Sequence, residues 1–293
     1  MVSRFVKEVS DLIEKDPRTV LLLSGIRQFS FREVMGKYPK RAFDIGIMED
    51  CAVSVAAGIS ASGLIPFLHT WAPFLVERTY EQLKLDFGAQ DLQGNFISAG
   101  ASYDLTDFGE SHYCPADVPI LKQIPRMEII VPGTAEELGR LLVGTYDDGK
   151  PTYYRLSDQA NERSYEVSFG KAEVIRRGSR GTVIAVGPML DIILNAAEDS
   201  DVTILYYTTV EPFDIDTLKA NLSGDKIMIC EPYNSGAVLP DVIHGLSKEK
   251  IKTECLGFDK TEFCKLGRFH ENEGRWGFDS RTVKKRLQDF LEE

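Results

Sequence analysis

Paired cysteines are the first thing missing from this chain. No CxxC occurs, and the five cysteines (Cys51, Cys114, Cys230, Cys255 and Cys264) are odd in number and scattered. Spacing therefore signals neither a zinc knuckle nor a dithiol redox motif, and reduced, mostly buried thiols in a cytoplasm are the expectation. Long apolar runs are absent as well. The longest, such as residues 21–23 and 183–186, fall far short of a bilayer's thickness, so no membrane association is expected. The start does not resemble a signal peptide; Phe5, Val9, Leu12 and Ile13 fall instead on one face of an amphipathic helix. Positive charge is in deficit, with 34 basic against 45 acidic residues and a formal net charge of -11. That balance argues against nucleic acid or an anionic membrane as the main partner, while a few local arginines could still hold an anionic substrate.

What is present is ordinary globular material, 43% hydrophobic and 27% charged over 293 residues, enough for two cores. Short β-rich runs at residues 19–23, 43–47, 64–68, 95–99, 128–131 and 152–156 alternate with helical stretches at 49–60, 74–87 and 135–146. A second series follows, with strands expected at 181–186, 201–207 and 226–230 and helices at 190–197, 237–246 and 281–291. Alternation of this kind predicts an α/β protein of two domains, each a mostly parallel sheet flanked by helices. The polar, glycine-punctuated stretch between them places the boundaries at 1–160 for the first domain, 161–180 for a linker and 181–293 for the second.

Residues 41–74, RAFDIGIMEDCAVSVAAGISASGLIPFLHTWAPF, carry the most information. A strand ends near Met48 and Glu49 opens a helix rich in Ala, Val and Gly. A carboxylate there has a plain structural reading, since the free N–H groups and the helix dipole favour an acid in the first turn. Trp71 and Phe74, after the next strand, read either as core or as the floor of a pocket for a flat heterocycle.

The ordered set of motifs resembles the pyrimidine-binding domain of transketolases. Arg41, Phe43, Gly46, Ile47 and Glu49 follow that family's R-F-x-x-x-G-I-x-E pattern. Ala56, Gly58, Gly63 and Pro66 follow its small-residue helix and turn, and Thr70, Trp71 and Phe74 its aromatic loop. RTYEQLKLD (78–86), GESH (109–112), IPRMEIIVPGTAEEL (124–138) and KPTYYRLSD (150–158) continue it at the expected distances, and the second half is similar to the family's C-terminal domain more loosely. The resemblance implies thiamine diphosphate as cofactor. Glu49 would be the activating acid, sharing a proton with the pyrimidine ring, and Trp71 and Phe74 would pack against that ring. His112 would be catalytic and substrate-facing. His69, Phe108 and Arg155 would line the substrate, with a surface histidine and a salt-bridged strand-end arginine as the plain alternatives for His112 and Arg155.

The family's diphosphate signature, G-D-G followed downstream by asparagine, is not found; DDGK at 147–150 and SGDK at 223–226 do not match it. The resemblance therefore implies a split enzyme. This chain would be its C-terminal subunit, and an N-terminal partner would carry Mg2+ (or Ca2+ or Mn2+) in an α2β2 assembly, with no metal held here. Phe108 stands where the family has an aspartate and Gly100 where it often has a phosphate-contacting histidine; His69 and Tyr113 replace the usual serine and glutamine. These departures point to ketol transfer onto an atypical sugar acceptor. The β subunit of a 2-oxo acid dehydrogenase, a deoxyxylulose-phosphate-synthase-like activity and a non-catalytic scaffold remain as alternatives. Glu231 and the loop 268–278 are candidates for an interface or substrate entry.

Overall fold

The computed structural model describes residues 1–260, Gly274 and residues 276–292. His270, Cys264 and most of the loop 268–278 lie outside the described residues. The strands are β1 (Thr19–Leu23), β2 (Ala42–Asp44), β3 (Ile65–Trp71), β4 (Gly94–Ala99), β5 (Glu128–Ile130) and β6 (Pro151–Arg155) in the first half. The second half holds β7 (Ala172–Arg176), β8 (Thr182–Val186), β9 (Thr203–Tyr207), β10 (Thr209–Glu211), β11 (Lys226–Asn234) and β12 (Lys252–Phe258). They form a seven-stranded sheet in the order β10-β5-β6-β4-β3-β1-β2 and a five-stranded sheet in the order β12-β11-β8-β9-β7. Pairing is parallel except where β10 meets β5 and β7 meets β9. The fold class is thus α/β with two mostly parallel sheets. No described helix is long and apolar enough to cross a membrane.

The alternating direction of side chains along each strand explains the layering of the first sheet. Leu21, Leu23, Phe67 and Ile97 point to one face, where Phe5, Val9, Leu12 and Ile13 of α1 (Val2–Lys15) and Phe31 of α2 (Gln28–Lys37) cover them. Leu22, Leu68 and Phe96 point to the other, against Ala52, Val53 and Ala56 of α3 (Glu49–Ala61) and Leu75 of α4 (Ala72–Val76). Full burial of each large side chain contributes about 1.5–3 kcal/mol, so both layers are firmly seated. Strands covered on both faces need not alternate apolar with polar residues, and β1, β3, β4 and β6 are buried almost throughout.

The order of connection creates the crevice. From β1 the chain passes through α2 to β2 at the sheet edge, then returns through α3 to β3 on the opposite side of β1. Loops leaving β1 and β3 diverge there, and in open α/β sheets that reversal at the carboxyl ends of the strands is where ligands bind.

Several local features differ from the sequence expectation, which placed no strand at β12 and no helix at α2. β7 lies inside the stretch read as a linker; it is a short, mostly half-buried edge strand set between polar and glycine residues. The helix expected over 74–87 is broken: after α4 the chain makes a wide turn, with Arg78 N–H donating to Pro73 O at 3.1 Å, and continues as a π-helix over Leu83–Gly88. β10 leaves the second half to close the first sheet, pairing Thr209 with Ile130 while Val131 N donates to Thr208 O at 2.8 Å.

Two buried polar knots join the halves. Arg155, 1% exposed, donates to Asp117 at 2.7 Å, to Ser102 Oγ at 2.6 Å and to Pro232 O at 3.1 Å. Glu137 closes a capping box with Thr134, accepts from the N–H groups of Gly133 and Tyr165 at 2.9 Å, and takes the Tyr206 hydroxyl at 2.7 Å.

Candidate active site

Asp44 organises the floor of the crevice. Its carboxylate accepts from Gly25 N at 2.9 Å, Gln28 Nε2 at 2.9 Å and Gly46 N at 3.3 Å, tying the loop after β1 to the loop after β2. Gly25 has φ +72°, and a Cβ there would press on Ile47 Cγ1 at 2.6 Å, so glycine is required both for the turn and for the close approach. Ser24 completes the brace by donating from Oγ to Gly46 O at 2.8 Å and accepting at its carbonyl from Thr70 Oγ1 at 3.1 Å.

On this brace sits Glu49, in the first turn of α3, its side chain 3% exposed. Glu49 Oε2 accepts from Arg78 Nη1 at 2.8 Å, and the Arg78 guanidinium lies 4.2 Å from the ring centroid of Phe74. The Phe74 ring meets His112 edge-on at 5.0 Å, and His112 meets Phe108 at 5.2 Å. Phe108 contacts Trp71 at 6.5 Å, over which the Arg27 guanidinium lies at 5.7 Å. The structure therefore brings Glu49, Trp71, Phe74, Phe108 and His112 into one continuous group at the sheet reversal. Around it Ile47, Met48 and Phe108 stand open at 75%, 51% and 64% exposure, an apolar rim on a charged floor. Burial, and then the charge of Arg78, hold the His112 imidazole below its ordinary value, so it is mainly neutral at pH 7.

His69 and Arg155 are placed elsewhere. His69 is fully buried in β3, packs on Phe5 at 4.6 Å, and donates from Nδ1 to Ile97 O at 2.8 Å. Burial pushes its pKa down to about 4. Arg155 is locked in the interdomain knot, so within this chain neither side chain reaches the crevice. Glu231 is likewise buried, accepting from Gly236 N at 2.5 Å and Val238 N at 3.0 Å, and Trp276 stacks on Tyr103 at 4.7 Å as packing.

Two residues of the crevice are not visible as functional in the sequence. Arg78 reads there as a helical surface arginine. Arg27 reads as a loop residue; its φ of +64° and its buried Nε, which has no hydrogen-bond partner, emerge only in three dimensions. Gly100 also gains meaning. With φ +73°, a Cβ would lie 2.7 Å from Leu105 Cγ and 3.4 Å from Trp71 Cε3, so Leu105 and the backbone together close the place a histidine would occupy. Among the described residues no three His, Cys, Asp or Glu side chains converge as a metal-ligand set.

A doubly wound sheet with a buried acid and aromatics at its reversal, backed by a second mostly parallel sheet, defines the class of the fold. The chain belongs to the transketolase family: residues 5–162 match that family's pyrimidine binding domain and residues 170–283 its C-terminal domain. It is 35% identical over 295 residues to an uncharacterised 33.6 kDa protein in the fasciation locus of Rhodococcoides fascians, covering 99% of this chain and 95% of that one. It is 32% identical to the 1-deoxy-D-xylulose-5-phosphate synthase of Polaromonas naphthalenivorans, over 80% of this chain and 37% of that enzyme's length. The synthase of Thermus thermophilus is 28% identical, over 97% of this chain and 47% of its own, so this chain spans less than half of either synthase. In fold it is similar to a split-gene transketolase solved as an inactive β4 tetramer, with a TM-score of 0.86, 24% identity, and 99% and 97% of the two chains covered.

Proposed function

We propose that this chain is the pyrimidine-binding subunit of a thiamine-diphosphate-dependent, transketolase-type transferase, completed by a second subunit that holds the diphosphate and its Mg2+. The observation that carries this reading is Glu49, a buried carboxylate in the first turn of α3 at the sheet reversal, with Phe74 beside it. The residues fit the group. A planar N–H donor, the guanidinium of Arg78, already rests on Phe74 and bonds Glu49, so the pair accepts a flat donor of the kind an aminopyrimidine presents. Bound, the cofactor would supply the carbon nucleophile for cleavage beside a carbonyl. Glu49 would hold a proton at the ring nitrogen, and Phe74 and Trp71 would pack against the ring. His112, neutral near pH 7, would hydrogen-bond or move a proton at a substrate oxygen. Two similar chains, the fasciation-locus protein and the split-gene transketolase subunit, have nearly this chain's extent, which supports a two-chain enzyme.

The substrate side of this reading rests on Phe108, His112 and Arg27, with His69 and Arg155 withdrawn into the fold. An exposed phenyl ring in place of a carboxylate favours an atypical acceptor: a deoxy, non-phosphorylated or nucleotide-linked sugar. A second reading, a decarboxylating activity akin to that of deoxyxylulose-phosphate synthases, is favoured by the names of several relatives.

Calorimetry of thiamine diphosphate and Mg2+ binding decides first. Binding is expected only with a co-expressed diphosphate-domain subunit, and Glu49→Gln should lower turnover roughly a hundredfold or more in that complex. Turnover of a ketose donor identifies ketol transfer, whereas release of CO2 from a 2-oxo acid identifies the second reading. Tight binding by this chain alone, or full activity of Glu49→Gln, would overturn the assignment.

A further inference from the structure

Among the described residues, Arg78 is a charged side chain that touches both halves of the proposed ring site. Its Nη1 donates to Glu49 Oε2 at 2.8 Å while its guanidinium carbon lies over the Phe74 ring, 4.2 Å from the centroid. These are the two contacts a protonated heterocycle would make: one N–H to the carboxylate and one face to the phenyl ring. Arg78 reaches them from the wide turn after α4, where its own N–H and that of Glu77 share the Pro73 carbonyl. Wide, π-type turns interrupt a regular helix and are frequent at functional sites. The side chain is 48% exposed against 3% for its partner, so the ion pair has one solvent-facing and one buried member.

We propose that Arg78 is an internal stand-in for the cofactor's pyrimidine, occupying the Glu49–Phe74 bay until the ring enters and displaces it. The proposal rests on the reading of this crevice as a pyrimidine site. It adds that the bay is closed by a side chain of the same subunit, so that ring binding exchanges one planar donor for another rather than filling an open pocket. The exchange keeps Glu49 from facing the crevice with no donor at any stage, since a buried carboxylate without a partner is costly. It also lowers the affinity of the unassembled chain for the ring, because the incoming group must break a charge-assisted hydrogen bond.

The test uses the full chain and 4-amino-5-hydroxymethyl-2-methylpyrimidine, the ring without thiazolium or phosphates, which takes up a proton at its ring nitrogen on binding beside Glu49. Binding is followed by NMR at the aromatic signals of Phe74 and His112 for the parent, Arg78→Met and Arg78→Lys. The stand-in predicts about tenfold tighter binding to Arg78→Met, with Arg78→Lys between, because lysine keeps the charge but not the planar face. The His112 titration gives a readout independent of any ligand. Arg78→Met removes the nearby cation, so the imidazole pKa should rise, though not to its ordinary value because burial remains the larger cause. Unchanged or weaker ring binding in Arg78→Met would overturn the stand-in while leaving the crevice assigned. An unmoved His112 titration in a folded Arg78→Met would overturn the placement of Arg78 itself. No binding to parent or variants, with the His112 shift present, would overturn the stand-in and leave the pyrimidine reading to the calorimetry of the two-subunit complex.

Discussion

Arg155 shows how a residue's neighbourhood outranks its motif. In sequence it stands at a strand end where the family resemblance places a substrate contact, yet here it is 1% exposed against an Asp117 that is fully buried. Asp117 also accepts from the Tyr153 hydroxyl at 2.9 Å, so the pair sits in a small polar network inside an apolar wall. Removing one partner of such a pair strands the other's charge, at a cost of about 3–5 kcal/mol. Arg155→Met should accordingly lower unfolding stability by that order in a denaturant titration, and Arg155→Met/Asp117→Leu should recover part of it. A stability loss below about 1 kcal/mol in the single variant would argue that the pair is solvated in solution. Motif position made Glu49, Trp71, Phe74, Phe108 and His112 legible as one cluster. It could not distinguish an arginine facing substrate from one facing an aspartate that lies 38 residues away in sequence. His69 escaped for a related reason: both faces of β3 are buried, so alternation gives no sign of which way a side chain turns.

At the scale of elements, legibility followed how much of an element is apolar. The doubly covered strands and α1 were readable, whereas β7 and β10, one half-buried and the other three residues long, carry no pattern of their own. The helix over Ala135–Thr145 adds a case where local chemistry is explicit. Thr134 accepts from Glu137 N at 3.2 Å, and the Glu137 carboxylate accepts in return from Thr134 N at 3.1 Å. Thr134→Ala removes only the first of these and should cost about 1 kcal/mol. Glu137→Ala opens more: it strands the buried Tyr206 hydroxyl and frees the loop at Tyr165, so its cost should exceed that of Thr134→Ala by at least about 1–3 kcal/mol. Parallel chemical denaturation of the two variants checks the ranking; equal losses would mean that Glu137 acts only as a cap.

For the whole molecule, buried titratable groups set opposing slopes of stability with pH. Burial raises the Glu231 carboxyl to about 7. In the unfolded chain it titrates near ~4.3, so between those values the folded state holds a proton the unfolded state has lost. Stability from this group therefore falls as pH rises from about 4 to 7, by up to about 3 kcal/mol. His69 acts in the opposite sense. Its pKa is depressed to about 4, so its contribution is full above ~6.5 and lost as pH falls toward 4. Urea unfolding at about pH 5 and about pH 7.5 separates the two: Glu231→Gln should gain on the parent protein as pH rises. A difference that stays constant would show that Glu231 releases its proton at an ordinary value.

β10 gives the chain a particular kind of indivisibility. The strand that finishes the first sheet is encoded after β7, β8 and β9, well inside the second half. The first sheet is therefore completed by sequence that only the second half carries. A gene cut between β6 and β7 would leave β5 with an unsatisfied backbone edge, the kind of surface that recruits foreign strands. Recombination between relatives could exchange loops around the crevice freely, but a working chimera would have to inherit Thr209–Glu211 together with the β5 edge it was fitted to.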